Sequence, residues 1–220
     1  MGSLYAKDVI STALNEIGYE AEGANKKYTI YSAELDAVDY YNTKKNGSAD
    51  WCAIFVAWCM YANTRNANGE IEADKYDAQF FQYQTDHSAA AGVGFMADFY
   101  MQNDAWYTDT KDLERGDVVT FRDYAHTGLC VAYDNKGFYT VEGNVDGGRV
   151  EQRYYKYGDS RIDGFGRPRY DGWEFKTVEP PTEDEKPKIE TIKISIEVTT
   201  DNADAVKAAL KGAKITVIYT

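Results

Sequence analysis

The chain has 220 residues, with 36 acidic against 24 basic side chains and a formal net charge of -12. A phosphate backbone is bound through a stripe of Lys and Arg, and no such run exists here, so neither DNA nor RNA is an expected partner. The length is too great for one typical domain and too small for two, so a main domain with a smaller appendage is expected.

The opening residues, Met1 to Asp8, contain no basic region followed by an apolar run, so no secretion signal is expected there. No segment is apolar enough to span a membrane. The cysteines are Cys52, Cys59 and Cys130, an odd number with no metal-ligand spacing, so at least one thiol is free. Cys52 and Cys59 would sit roughly 10 Å apart on a helix, too far for a disulfide.

The first helix is predicted over about Leu4 to Ile17, where Val9, Ile10, Ala13, Leu14 and Ile17 form an apolar stripe and Gly18 can end it. Residues 19–50 read as a long ordered loop with short helical pieces, suited to one wall of a cleft. A second helix begins near Trp51 and carries Cys52, Phe55, Val56, Cys59 and Met60 on one apolar face. After a variable stretch from Thr64 to Trp106, short strands follow: Asp117–Phe121, Thr127–Tyr133, Phe138–Glu142, Arg149–Tyr154 and Gly164–Tyr170. The class is α+β, with N-terminal helices packed on an antiparallel sheet.

Residues 173–188 include the acidic, Pro-rich run Val178 to Lys188, an extended linker that closes a main domain of residues 1–172. Beyond it, residues 189–220 read as a small β-α-β element: Ile192, Ile194, Ile196 and Val198 alternate with polar residues, Asp201 can cap a helix, and Ile215–Tyr219 is a second strand. So short a fragment rarely folds alone. Self-association into a homo-oligomer, or the start of a wall-binding module, is its expected role.

Chemistry concentrates around Cys52. A thiol at a helix start meets unsatisfied N–H groups and the positive end of the helix dipole, which favour its thiolate. With Asp50 as the cap, Cys52 would be the second helical residue, its backbone N–H free for a developing oxyanion. By itself the position fits a buried core cysteine better. The chain has two histidines, and one of them, His126, opens a strand in Tyr-Ala-His-Thr-Gly where packing has no need of an imidazole. A base for a thiol also needs a group that orients its ring, and Glu142 and Asn144, in Val-Glu-Gly-Asn, are suited to that.

The hairpin between the two strands decides whether these groups can meet, because one sheet face carries alternate residues. A two-residue loop, Asn135-Lys136, pairs Leu129 with Glu142 and sends His126 to the opposite face. A three-residue loop from Asp134 pairs His126 with Asn144 and puts Glu142 diagonally adjacent. An odd-length loop or a bulge is therefore expected.

Four motifs stand in order: Trp51-Cys52-Ala53-Ile54-Phe55-Val56-Ala57-Trp58-Cys59, Arg115-Gly116-Asp117-Val118-Val119-Thr120-Phe121, His126-Thr127-Gly128-Leu129-Cys130-Val131, and Val141-Glu142-Gly143-Asn144. With Gly164-Phe165-Gly166-Arg167-Pro168-Arg169-Tyr170 they cover roughly residues 5 to 172 and resemble the CHAP family, the cysteine, histidine-dependent amidohydrolase/peptidase domains of bacterial autolysins and phage endolysins. The resemblance implies a papain-like fold. It also implies that Cys52 attacks an amide carbonyl, His126 moves the proton and Glu142 orients the imidazole, with Asn144 assisting or replacing it.

The sequence departs from the family at Asp50, where a proline or small residue is frequent; a carboxylate there disfavours thiolate at Cys52. Some members bind calcium just before the cysteine, but Lys44 to Asp50 offers a single carboxylate, so no metal and no cofactor are expected. Trp51 is the candidate substrate-groove residue. His87 reads as a surface residue, and Cys59 and Cys130 as inert.

The resemblance implies peptidoglycan as partner and substrate, an amide bond cleaved either between muramic acid and L-alanine or within the stem or cross-bridge peptide. The acidic balance gives no long-range pull toward a polyanionic wall, so recognition would depend on local pockets. Action at the bacterial wall would need release by a holin-type or lysis-dependent route, or a signal removed from the chain. The alternatives are a cytosolic amidase on a small peptide conjugate and a non-catalytic wall-binding or virion-structural module.

Overall fold

The computed structural model describes residues 5–38, 49–72 and 91–171. The chain divides into two units, Met1–Pro181 and Thr182–Thr220, and every described residue lies in the first. His87, the acidic linker of 173–188 and the β-α-β element of 189–220 lie outside the described residues.

Four α-helices are described: α1 (Ala6–Asn15), α2 (Ile30–Ala37), α3 (Cys52–Tyr61) and α4 (Val93–Gln102). They accompany one six-stranded antiparallel sheet: β1 (Trp106–Tyr107), β2 (Val118–Phe121), β3 (His126–Tyr133), β4 (Gly137–Val145), β5 (Arg149–Lys156) and β6 (Ile162–Gly166), in spatial order β1-β6-β2-β3-β4-β5. The architecture is mixed helix and antiparallel sheet. No helix among the described residues is long and apolar enough to cross a membrane.

Helix α2 is one short helical piece inside the stretch read as a long ordered loop with such pieces. Its N-cap Thr29 accepts a hydrogen bond from the Ser32 N–H at 3.0 Å, the local signature of a helix start. Just before it, residues 18–21 run beside β5, with Gly18 N–H donating to Val150 O and Ala21 N–H to Gly148 O.

Helix α3 differs from the sequence reading in two ways. It starts one residue later, with Trp51 rather than Asp50 as N-cap, so Cys52 is its first residue. And it is buried all round rather than on one face: all ten residues are inside, contacting α1, α2, β3 and β4. A run as uniformly apolar as Cys52–Tyr61 has no solvent side to offer, and a helix of that kind belongs at the centre of a core. The sheet has hydrophobic clusters on both faces, one built on α3 and the other on Val119, Phe121, Cys130, Phe138, Tyr155 and Phe165.

Candidate active site

Register comes first, because it determines which side chains can meet. The β3–β4 hairpin closes tightly: Tyr133 pairs with Phe138, and the Asp134 carboxylate caps the turn by accepting from Lys136 and Gly137 N–H. That close pairing alone would put His126 and Glu142 on opposite faces. A bulge at Val131 changes the register, from Ala132 opposite Tyr139 to Cys130 opposite Thr140 and Leu129 opposite Val141. One extra residue in β3 flips its alternation relative to β4. His126 Nε2 consequently lies 2.9 Å from Glu142 Oε2.

The carboxylate is held from several sides. Thr140, two residues back on the same strand face, donates its hydroxyl to Glu142 Oε1 at 2.6 Å, and Tyr155 on β5 adds a side-chain hydrogen bond. Burial alone would raise the Glu142 pKa, but these bonds and the facing imidazole lower it. Glu142 is 1% exposed, so these neighbours rather than water hold its charge inside the protein. Sequence reasoning missed both supporting residues. Thr140 is legible from two-residue spacing, whereas Tyr155 depends on the β4–β5 register.

Two glycines make this packing feasible. A Cβ on Gly128 would fall 2.5 Å from Glu142 Cγ, so only glycine leaves room for the carboxylate across the ladder. A Cβ on Gly143 would fall 2.7 Å from both Phe55 Cβ and Trp51 Cζ3, so this glycine lets α3 lie close against β4. Alternation thus turns Glu142 away from the body of α3 and Gly143 toward it, and it is the helix tip, Cys52, that shares a cavity with the imidazole.

Cys52 and His126 line one cavity, and the thiol, like Glu142, acts on the imidazole strongly enough to move its pKa. With Nε2 committed to Glu142, Nδ1 is the nitrogen left for the thiol. Burial acts to lower the imidazole's pKa, but the hydrogen bonds and charges of Cys52 and Glu142 outweigh it and raise the value to about 9. An imidazolium is therefore favoured at neutral pH. As first residue of α3, Cys52 also has a backbone N–H without an intrahelical acceptor. It is 5% exposed and lines a cavity of about 330 Å³ together with His126, Glu142 and Asn144.

Three other residues are placed differently from expectation. Asn144 does not act on the imidazole; it sits at a second bulge with φ of 59°, and its amide donates to Asp50 Oδ1 at 3.4 Å. Asp50 is largely exposed and pairs with Lys27 Nζ at 3.1 Å, so a cation and an amide offset its charge beside the thiol. Nothing in the local sequence around Asp50 points to Lys27, which arrives from the preceding loop. Trp51 is 0% exposed, its indole N–H donating to Lys26 O and its ring packed with Tyr19 and Tyr31; it is core and offers no face to a substrate groove.

The remaining cysteines, Cys59 and Cys130, are fully buried, and burial pushes both thiols well above the ordinary range. Among the described residues, no group of three or more His, Cys, Asp or Glu side chains is arranged to hold a metal ion.

Set against protein-family models, curated proteins and solved structures, the chain gives no match in any of the three. What the site can do rests on its own geometry and chemistry.

Proposed function

We propose that this chain is a cysteine amidase or endopeptidase of the CHAP type, with a papain-like arrangement, acting on peptidoglycan at the bacterial cell wall. The observation that carries the reading is one cavity lined by a thiol at a helix start, an imidazole, and a buried carboxylate 2.9 Å from that imidazole. These are the three roles that nucleophilic catalysis by cysteine requires.

In this reading the Cys52 thiolate attacks the amide carbonyl carbon, and the resulting oxyanion is met by the Cys52 backbone N–H at the start of α3. The His126 imidazolium gives its proton to the departing amine, leaving a thioester on Cys52. Neutral His126 then takes a proton from water, whose oxygen attacks the thioester; the acid is released and the thiolate and imidazolium are restored. Glu142 keeps the ring oriented and stabilises its charged form throughout. Peptidoglycan as the substrate class rests on the resemblance of the four motifs.

Purified cell walls test this directly. The chain is expected to lower the turbidity of a wall suspension and to release fragments whose masses identify the bond. Iodoacetamide near neutral pH is expected to label Cys52 rapidly and to leave Cys59 and Cys130 untouched. A Cys52 as inert as Cys59, with walls intact, would remove the proposal.

A further inference from the structure

We propose that Arg122 is the carboxylate-recognition residue of the cleft, so that the preferred substrate is an acidic peptide bearing a free carboxylate near the scissile amide. This rests on the reading of Cys52, His126 and Glu142 as the reacting groups and names the substrate chemistry of that same site.

Charge pairing in the cavity is the first observation. Its other charges are matched: Asp50 with Lys27, Asp146 with Arg153, Glu142 with His126, and Arg161 with Asp159. Arg122 lines the same cavity, is exposed, and has no ion-pair partner among the described residues. Asp123, next in sequence, is not among the lining residues. In a chain of net charge -12, an unmatched guanidinium at the mouth of a cleft presents a local anion site against the global field.

Backbone geometry is the second. Arg122, Asp123 and Tyr124 have φ of 59°, 57° and 60°, three consecutive non-glycine residues in the left-handed region. Such a turn is strained and persists only where its surroundings hold it. Here Asp163 does so, one carboxylate oxygen accepting from Asp123 N–H at 3.0 Å and the other from Tyr124 N–H at 2.9 Å, while Arg122 N–H donates to Arg161 O at 2.8 Å. The clamp fixes the base of the Arg122 side chain four residues before His126. An arginine on a rigid base presents a planar fork of donors that fits a carboxylate bidentately, which an amide cannot reciprocate.

Binding to the Cys52→Ala protein separates recognition from turnover. The probes are the stem tetrapeptide L-Ala-γ-D-Glu-L-Lys-D-Ala with free carboxyls and the same peptide with every carboxyl converted to carboxamide, titrated by calorimetry. The acid form is expected to bind about tenfold tighter than the amide form. Arg122→Gln added to Cys52→Ala is expected to erase that difference without weakening the amide form, and Arg122→Lys to keep part of it. Asp163→Asn is expected to reduce the preference while leaving the amide form unchanged, a response that general loss of folding would not produce. Equal affinities for the two forms, no binding of the acid form, or a preference that survives Arg122→Gln each overturn the inference. Hydrolysis of walls by the unaltered chain is scored separately and decides the catalytic reading.

Discussion

Two buried carboxylates on one sheet each face a cation, and in the proposed reading they do different things. Asp117, at the entry to β2, is fully buried and bonds Arg167 through two parallel contacts, Oδ1 to Nε at 2.9 Å and Oδ2 to Nη2 at 2.8 Å, while Oδ2 also accepts from Glu114 N–H. Arg167 spends further donor capacity on Asp112 O and lies against Glu114. Neither residue lines the cavity of Cys52. Glu142 and His126 form a pair of similar length, but the imidazole has a second nitrogen and shares its cavity with a thiol. Both pairs come from equally visible motifs. A buried charge pair becomes chemistry when one member keeps an unspent group that faces a reactive atom, and it stays architecture when every donor and acceptor is used.

The pKa directions follow the same division. For Asp117 burial dominates, pushing the carboxyl up to about 6 against the pull of Arg167. For Glu142 the bonds from His126, Thr140 and Tyr155 outweigh burial and lower it.

The sharpest way to break the contrast is Cys52→Ser, which leaves both pairs in place and removes the sulfur nucleophile. Wall hydrolysis is expected to fall about 10⁴-fold with the melting temperature little changed. Retention of even a tenth of the activity would move the nucleophile elsewhere. Asp117→Asn comes next and tests the architectural pair: a buried Arg167 that loses its two-point carboxylate and keeps only Glu114 at 3.5 Å as an ion-pair partner among the described residues is expected to cost about 3 kcal/mol in denaturant unfolding, with activity per folded molecule within about threefold. Glu142→Gln should reverse that pattern, lowering kcat about 10²-fold for a stability loss of about 1 kcal/mol. A Glu142 variant that is merely unstable, with full activity when folded, would collapse the two pairs into one kind.

The pH dependence is a smaller effect of definite sign. His126 goes from an ordinary value of 6.5 to about 9 in the folded chain. A raised folded-state value stabilises the protonated form, so its contribution is fully present below pH 6.5 and is lost as pH rises through about 9. Unfolding free energy is expected to fall by roughly 3 kcal/mol across that window, and by less in Glu142→Gln, which removes one of the two groups that raise the value. A wild-type curve that is flat from pH 6 to 9.5 would contradict the charged pair.

How much of this was legible before folding can be read residue by residue. Cys52, His126 and Glu142 stood out as candidates through their types, their order and the resemblance of the motifs that hold them, and the need for an odd-length loop or a bulge followed from strand alternation alone. That the bulge falls at Val131 was not visible, since nothing in Cys130-Val131-Ala132 distinguishes the residue that drops out of pairing. Trp51 was misplaced because adjacency to a nucleophile says nothing about which way an indole turns; the long-range packing of Tyr19 and Tyr31 settles it. Lys27 beside Asp50 and Tyr155 beside Glu142 are tertiary neighbours with no local trace.

The smallest expected effect separates Glu142 from its neighbour. Asn144 and Glu142 share β4 and stood together as groups able to orient the imidazole, but the bulge turns the Asn144 amide to exposed Asp50. Because Asn144 has φ of 59°, Asn144→Gly removes the side chain without strain, whereas Asn144→Ala adds about 1 kcal/mol of left-handed backbone cost. The glycine variant is expected to keep activity within about threefold and stability unchanged, and the alanine variant to lose about 1 kcal/mol at the same kcat. A hundredfold loss in the glycine variant, matching Glu142→Gln, would show that the amide reaches the reacting groups during turnover and that orientation of His126 is shared.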